Sequence, residues 1–117
     1  IDGRTQLHEE ELSHFEGYKQ SYPVRIGNAA YKQLQLDIYG EFIDALYLYD
    51  KNVHPISHDT WVGLYKQVNW IVKNWRLKDC GIWEIRGDVQ EFLYSKFMCW
   101  VAIDRAIKIA SEINASD

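Results

Sequence analysis

One carboxylate in this chain is set among bulky apolar neighbours. In the run KDCGIWEIRGD (residues 78–88), Glu84 lies between Trp83 and Ile85, with Ile82 before them and Arg86 two residues on. A solvated turn is built from Gly, Asn, Asp and Ser and has no need of an indole and two isoleucines. Shelter from water favours the protonated form of a carboxyl group. A carboxylic acid that keeps its proton near neutrality can pass it to a leaving group. Arg86 would oppose this if close, or would hold a substrate hydroxyl. Without shelter, Glu84 and Arg86 read as a surface ion pair on a strand-like turn.

A second group stands in SYPVRIGNAA (21–30), where Arg25 and Asn28 flank Gly27. A helix starting at Asn28 would leave outward N–H donors beside them, and such donors with Arg and Asn suit the hydroxyls of a sugar. In the alternative, Asn28 is only a helix cap and Arg25 a solvated charge.

Three helices are predicted to position these residues. The first runs from a cap at Asn28 to about Tyr49. Leu34, Ile38, Leu46 and Tyr49 mark one side and Leu36, Tyr39, Ile43 and Tyr47 another, so it is apolar nearly all round and enclosed on more than one side. DKNVHP (50–55) interrupts it at Pro55. The second helix, capped by Ser57 or Asp59, carries Trp61, Leu64, Tyr65, Val68, Ile71, Val72 and Trp75 at spacings of three and four. Lys66, Gln67, Asn69, Lys73 and Asn74 form a wet face. The third starts between Asp88 and Ser95 and ends near Asn114, with Phe97, Met98, Trp100, Val101, Ile103 and Ile107 again covering more than one side. Residues 1–27 read as an irregular segment with one helical turn around Glu9–His14. In a helical barrel the two candidate segments, each preceding an enclosed helix, would emerge at one rim.

The chain has 117 residues, enough for one small domain. Thirteen basic against seventeen acidic side chains give a formal charge of −4, which disfavours a nucleic-acid binder. No apolar run approaches the roughly 20 residues of a membrane span. No signal peptide is visible, so a cytoplasmic location is expected. Cys80 and Cys99 lack CxxC spacing; they allow one disulfide but read rather as reduced thiols, and the histidines do not cluster with them at zinc-ligand spacing. Five Trp and eight Tyr suit surfaces that meet sugar rings, although most of these rings should fill the core.

Three blocks carry a resemblance: EGYKQSYPVRIGNAAYKQLQLDIYGEFIDALY, then NWRLKDCGIWEIRG, then SKFMCWVAIDRAIKIA. Together with the opening IDGRTQLHEEELSHFEGY they resemble the bacterial and archaeal glucoamylase/trehalase-type enzymes of glycoside hydrolase family 15, over essentially the whole chain. The resemblance implies an all-α fold in which two inner helices and one outer helix form part of an (α/α)6 barrel. It implies inverting hydrolysis of an α-glucoside such as trehalose or a maltodextrin, with Glu84 as general acid and no cofactor or metal. Arg25 and Asn28 match the family's rim motif, and Trp83 would stack beside the sugar. Arg86 and Lys96 are further candidates for hydroxyl contacts, as is Gln35, which would otherwise bond its helical neighbours. Ile85 stands where fungal glucoamylases carry a second acid, which favours the trehalase-like or oligosaccharide-acting branch. No segment matches the family's general base, so the chain reads as part of a longer catalytic domain, inactive by itself. In the other reading, a small helical carbohydrate-binding or protein-interaction module covers its apolar faces with a second copy of itself.

Overall fold

The computed structural model describes residues 6–115, and the chain divides into two compact units between Gln33 and Leu34.

In the first unit two short strands, β1 (Glu10–Glu11) and β2 (Arg25–Ile26), pair antiparallel, with Glu10 opposite Ile26 and Glu11 opposite Arg25. The helical turn expected around Glu9–His14 is therefore a strand end. Leu12 N donates to Val24 O at 2.8 Å and extends the pairing. Gly27 permits the close approach behind it: its φ is 79°, and a Cβ there would lie 1.8 Å from His8 O. Short 3-10 turns at Tyr18–Gln20 and Ala29–Lys32 complete the unit.

The second unit is built on three helices, α1 (Asp37–Asn52), α2 (His58–Asn74) and α3 (Leu93–Ala115), which meets the all-α expectation. Its core takes residues two turns apart from α2 (Leu64, Ile71), Leu36 and Ile43 from the first helical segment, and Cys99, Ala102, Ala106 and Ile109 from α3. A glycine on α1 lets α3 come close. Gly40 packs directly on the α3 backbone, where a Cβ would stand 2.2 Å from Met98 O. Across the same pair of helices Arg105 Nε meets Asp44 Oδ1 at 2.5 Å, while within α3 Asp104 receives Lys108 at 2.9 Å and also Arg105. Tyr39 stacks on Trp70, with ring centroids 5.2 Å apart.

Ser57 caps α2 as expected, its side chain accepting from Thr60 N at 3.2 Å. Tyr65 and Val72, assigned to the apolar face of this helix, are exposed. Helix one differs from its prediction. Asn28 does cap, accepting from Ala30 N at 2.8 Å, but the helix it caps is one 3-10 turn, and α1 begins only at Asp37. Between them the chain is drawn away by tertiary bonds: Leu34 O accepts from Cys80 N, and Leu36 N donates to Asp79 Oδ2, both at 2.9 Å. These partners lie far along the sequence and override the local capping signal.

Ile38, Phe42 and Tyr49 on α1 and Phe97, Trp100 and Ile107 on α3 remain exposed although large and apolar. Both helices thus carry apolar residues on more sides than this unit covers. No helix among the described residues is long and apolar enough to cross a membrane.

Candidate active site

The turn that carries Glu84 leaves the end of α2 and returns at the start of α3. Its base is a two-bond bridge: Asp79 N donates to Gln90 O and Gln90 N to Asp79 O, each at 2.9 Å. Inside the bridge Glu84 N donates to Gly81 O at 3.2 Å and Ile85 N to Cys80 O at 3.4 Å. Gly81 has φ 62° and lies under the Phe92 ring, where a Cβ would meet Cδ2 at 2.9 Å. Position 81 therefore needs glycine both for its backbone and for space.

Glu84 itself adopts φ 49°. Left-handed backbone costs a residue with a side chain roughly 1–2 kcal/mol, and such outliers gather where a side chain must be aimed. Here the aim is outward. Glu84 is exposed, Ile82 is exposed, and Trp83 is 83% exposed. The shelter anticipated from Trp83 and the isoleucines does not form within these residues. Proximity in sequence suggested it, but the reversal at Gly81–Glu84 turns Ile82 and Trp83 outward, and only Ile85 is partly covered.

One expected residue comes to Glu84. Gln35 Nε2 donates to Glu84 Oε1 at 3.4 Å, a long bond across 49 residues of sequence. Gln35 is not an inner-helix residue bonding its neighbours, since it lies just before α1 in the segment tied down by Leu34 and Leu36. Arg86 is exposed two residues along the same turn.

Lys96 goes elsewhere. Its Nζ donates to Trp75 O at 2.9 Å and also to Leu77 O, so it closes the C-terminal end of α2. A cation at that end completes unsatisfied carbonyls and opposes the negative pole of the helix. This use accounts for a lysine in the first turn of α3.

Sequence reasoning passed over Asp79. The residue is fully buried, and its Oδ2 accepts both from Leu36 N at 2.9 Å and from Ser95 Oγ at 2.7 Å. Ser95 is fully buried as well. Next to it in charge is Asp37, 4% exposed, whose carboxyl is held above the ordinary value of 3.8 mainly by burial, with Glu41 and Asp79 adding repulsion. Cys80 and Cys99 are free thiols, both buried, and burial pushes the Cys99 thiol up. A single Asp before a Cys-Gly pair gives no periodic or motif signal, so only its long-range partners reveal it.

In the N-terminal unit Arg25 is committed to acids. Its Nη2 donates to Glu11 Oε1 at 2.7 Å, and Nε stands 3.1 Å from Glu9 Oε1. Glu9 also accepts from Ala29 N at 3.2 Å, at the start of the 3-10 turn that Asn28 caps. Arg25 and Asn28 thus sit around one turn N-terminus, Asn28 as a cap. Arg25 is held by two carboxylates instead of lying free in solvent. Tyr18 and Tyr22 are both exposed.

The turn presents one carboxyl group and one bare indole face, and the Gln35 amide reaches the carboxyl from the segment before α1. That set suits proton donation beside a stacked ring.

Comparison with known proteins bears on the chain as a whole. The family model described as Glycosyl hydrolases family 15 matches residues 1–117. Among similar curated proteins, a trehalase of Mycolicibacterium smegmatis is 49% identical over 110 residues, and one of Mycobacterium tuberculosis is 47% identical over 110. Each alignment covers 94% of this chain and 16% of the relative. Trehalase 1 of Sulfolobus acidocaldarius is 44% identical over 111 residues, or 93% of this chain and 20% of that protein. The chain therefore spans a fifth or less of the length of these relatives. No solved structure matches it.

Proposed function

Since the chain belongs to glycosyl hydrolase family 15, we propose that its turn 79–90 supplies the proton donor of an enzyme that hydrolyses an α-glucoside. Trehalose is the substrate we favour, because the relatives at 44–49% identity are trehalases. Glu84 protonates the glycosidic oxygen as the bond to the anomeric carbon breaks. Gln35 orients that carboxyl group through Oε1, and Trp83 offers its face to a sugar ring. Arg86 is a candidate for a hydroxyl contact on the same loop. Arg25 and Asn28 are candidates in the N-terminal unit, Arg25 with its charge already balanced by Glu9 and Glu11. The reaction proceeds with inversion, for which a second carboxyl group roughly 6.5–9.5 Å from the first activates water. That base, and the remaining helices of an (α/α)6 barrel in which α1 and α3 are inner and α2 outer, belong to the longer protein.

The observation that carries the proposal is the presentation of Glu84. It occupies a left-handed turn, faces outward, and meets Gln35 beside a bare indole. The substrate and the rest of the protein then complete the dry surroundings that acid catalysis calls for. In the full-length enzyme Glu84→Gln should remove trehalose hydrolysis while trehalose still binds, measured by turnover and by calorimetric titration. Turnover at the wild-type rate in that variant would refute the assignment.

A further inference from the structure

We infer that Asp79, with Ser95 as its partner, is a positioning residue for the proton donor. The inference rests on the reading of Glu84 just given. Glu84 is on an exposed turn, and an exposed turn does not by itself hold an acid to the tolerance that proton transfer needs. Asp79 supplies what the turn lacks. It stands at the bridge that closes the turn, five residues before Glu84, and its side chain is fully buried.

Burying a carboxylate is costly unless it is hydrogen-bonded, and two donors converge on one of its oxygens. Leu36 N fixes the segment before α1, at 2.9 Å, and Ser95 Oγ fixes the first turn of α3, at 2.7 Å. The residue next to Leu36 is Gln35, which reaches Glu84 Oε1. Cys80 N, next to Asp79, donates to Leu34 O on the other side of Gln35. The donor loop and the residue that orients its acid are therefore pinned to each other on both flanks, and the pin is locked to α3 by Ser95. A loop needing only to be closed would be served by the Asp79–Gln90 backbone bridge alone.

Misplacing a reacting group by about 1 Å costs on the order of a hundredfold in rate. The loss should depend on the leaving group. Trehalose releases a sugar alkoxide that must be protonated, whereas α-glucosyl fluoride releases fluoride, which needs little help from an acid. General damage to the fold would lower both reactions alike.

The test uses the full-length enzyme with Asp79→Ala, which removes the acceptor, Asp79→Asn, which keeps a carbonyl oxygen for it, and Ser95→Ala, which removes one donor. Glu84→Gln serves as reference. Asp79→Ala and Ser95→Ala should lower kcat on trehalose by about tenfold to a hundredfold. KM should stay within about threefold, and kcat on the fluoride should change little. Asp79→Asn should recover most of the loss. If Asp79→Ala does not fold, Ser95→Ala decides by the ratio of the two substrates. An equal fall on both, or no fall on either, would overturn the positioning role while an inactive Glu84→Gln keeps the proton-donor reading intact. Trehalose turnover by Glu84→Gln at the wild-type rate would remove that reading, and this inference with it.

Discussion

Two glycines in long helices should respond to the same substitution with opposite signs. Gly40 in α1 packs against the backbone of α3, and an added Cβ would lie 2.2 Å from Met98 O, 2.8 Å from its carbonyl carbon and 2.9 Å from its Cα. Ordinary contact begins near 3.4 Å, so the helices would have to part by about 1 Å, enough to forfeit a quarter to a half of each dispersion contact along the seam. No rotamer can relieve the clash, because the opposing atoms are all backbone, and the cost belongs near the upper end of overpacking, about 3 kcal/mol. Alanine recovers about 1 kcal/mol over glycine in a helix interior. Gly40→Ala should therefore destabilise by about 2 kcal/mol. Gly63 in α2 has nothing within 4 Å of an added Cβ. Gly63→Ala should stabilise by up to about 1 kcal/mol. Urea unfolding followed by circular dichroism, run on both variants under identical conditions, measures the difference of about 3 kcal/mol, more than a hundredfold in the folding equilibrium. A Gly40→Ala protein as stable as Gly63→Ala would refute the close approach of α1 and α3.

Lys96→Met should lower stability by about 2 kcal/mol, from the lost charge-assisted bonds to Trp75 O and Leu77 O and the lost cation at a helix C-terminus. KM for trehalose should be unchanged, and a tenfold rise would instead place Lys96 at the sugar. Asp37 gives a pH dependence of definite sign. Its folded value lies above 3.8 through burial, so its contribution is present below that pH and is lost as pH rises through the folded value. Asp37→Asn cannot titrate, so its urea midpoint relative to wild type should climb across that window and level off above it; a constant difference would show that Asp37 ionises without penalty.

The parts of the fold legible in the sequence are those fixed by neighbours along the chain. Ser57 before an amphipathic run signalled α2 and does cap it, and α3 begins at Leu93, inside the interval allowed by its two alternative caps. What the sequence concealed depends on distant partners. Asn28 is as good a cap as it looked, but bonds from Leu34 and Leu36 to Cys80 and Asp79 postpone the long helix to Asp37. The apolar neighbours of Glu84 suggested shelter, and the left-handed backbone at Gly81 and Glu84 turned them outward. The turn itself is legible in the apolar residues set around one acid, to which the resemblance to glycoside hydrolase family 15 adds the role of Glu84, whereas Lys96 shows its use only with the end of α2 beside it.

Within the loop that the Asp79–Gln90 bridge closes, the inner bonds from Glu84 N to Gly81 O and from Ile85 N to Cys80 O divide two halves that differ in tolerance of change. Residues 80–85 are fastened at both flanks, but Gly87, Asp88 and Val89 lie exposed on the return path. Lengthening a flexible segment between fixed ends costs only about 0.6 kcal/mol per doubling. Evolution or a protein engineer can therefore splice new residues into this return path, reshaping whatever meets the far end of a ligand while leaving the acid where it stands.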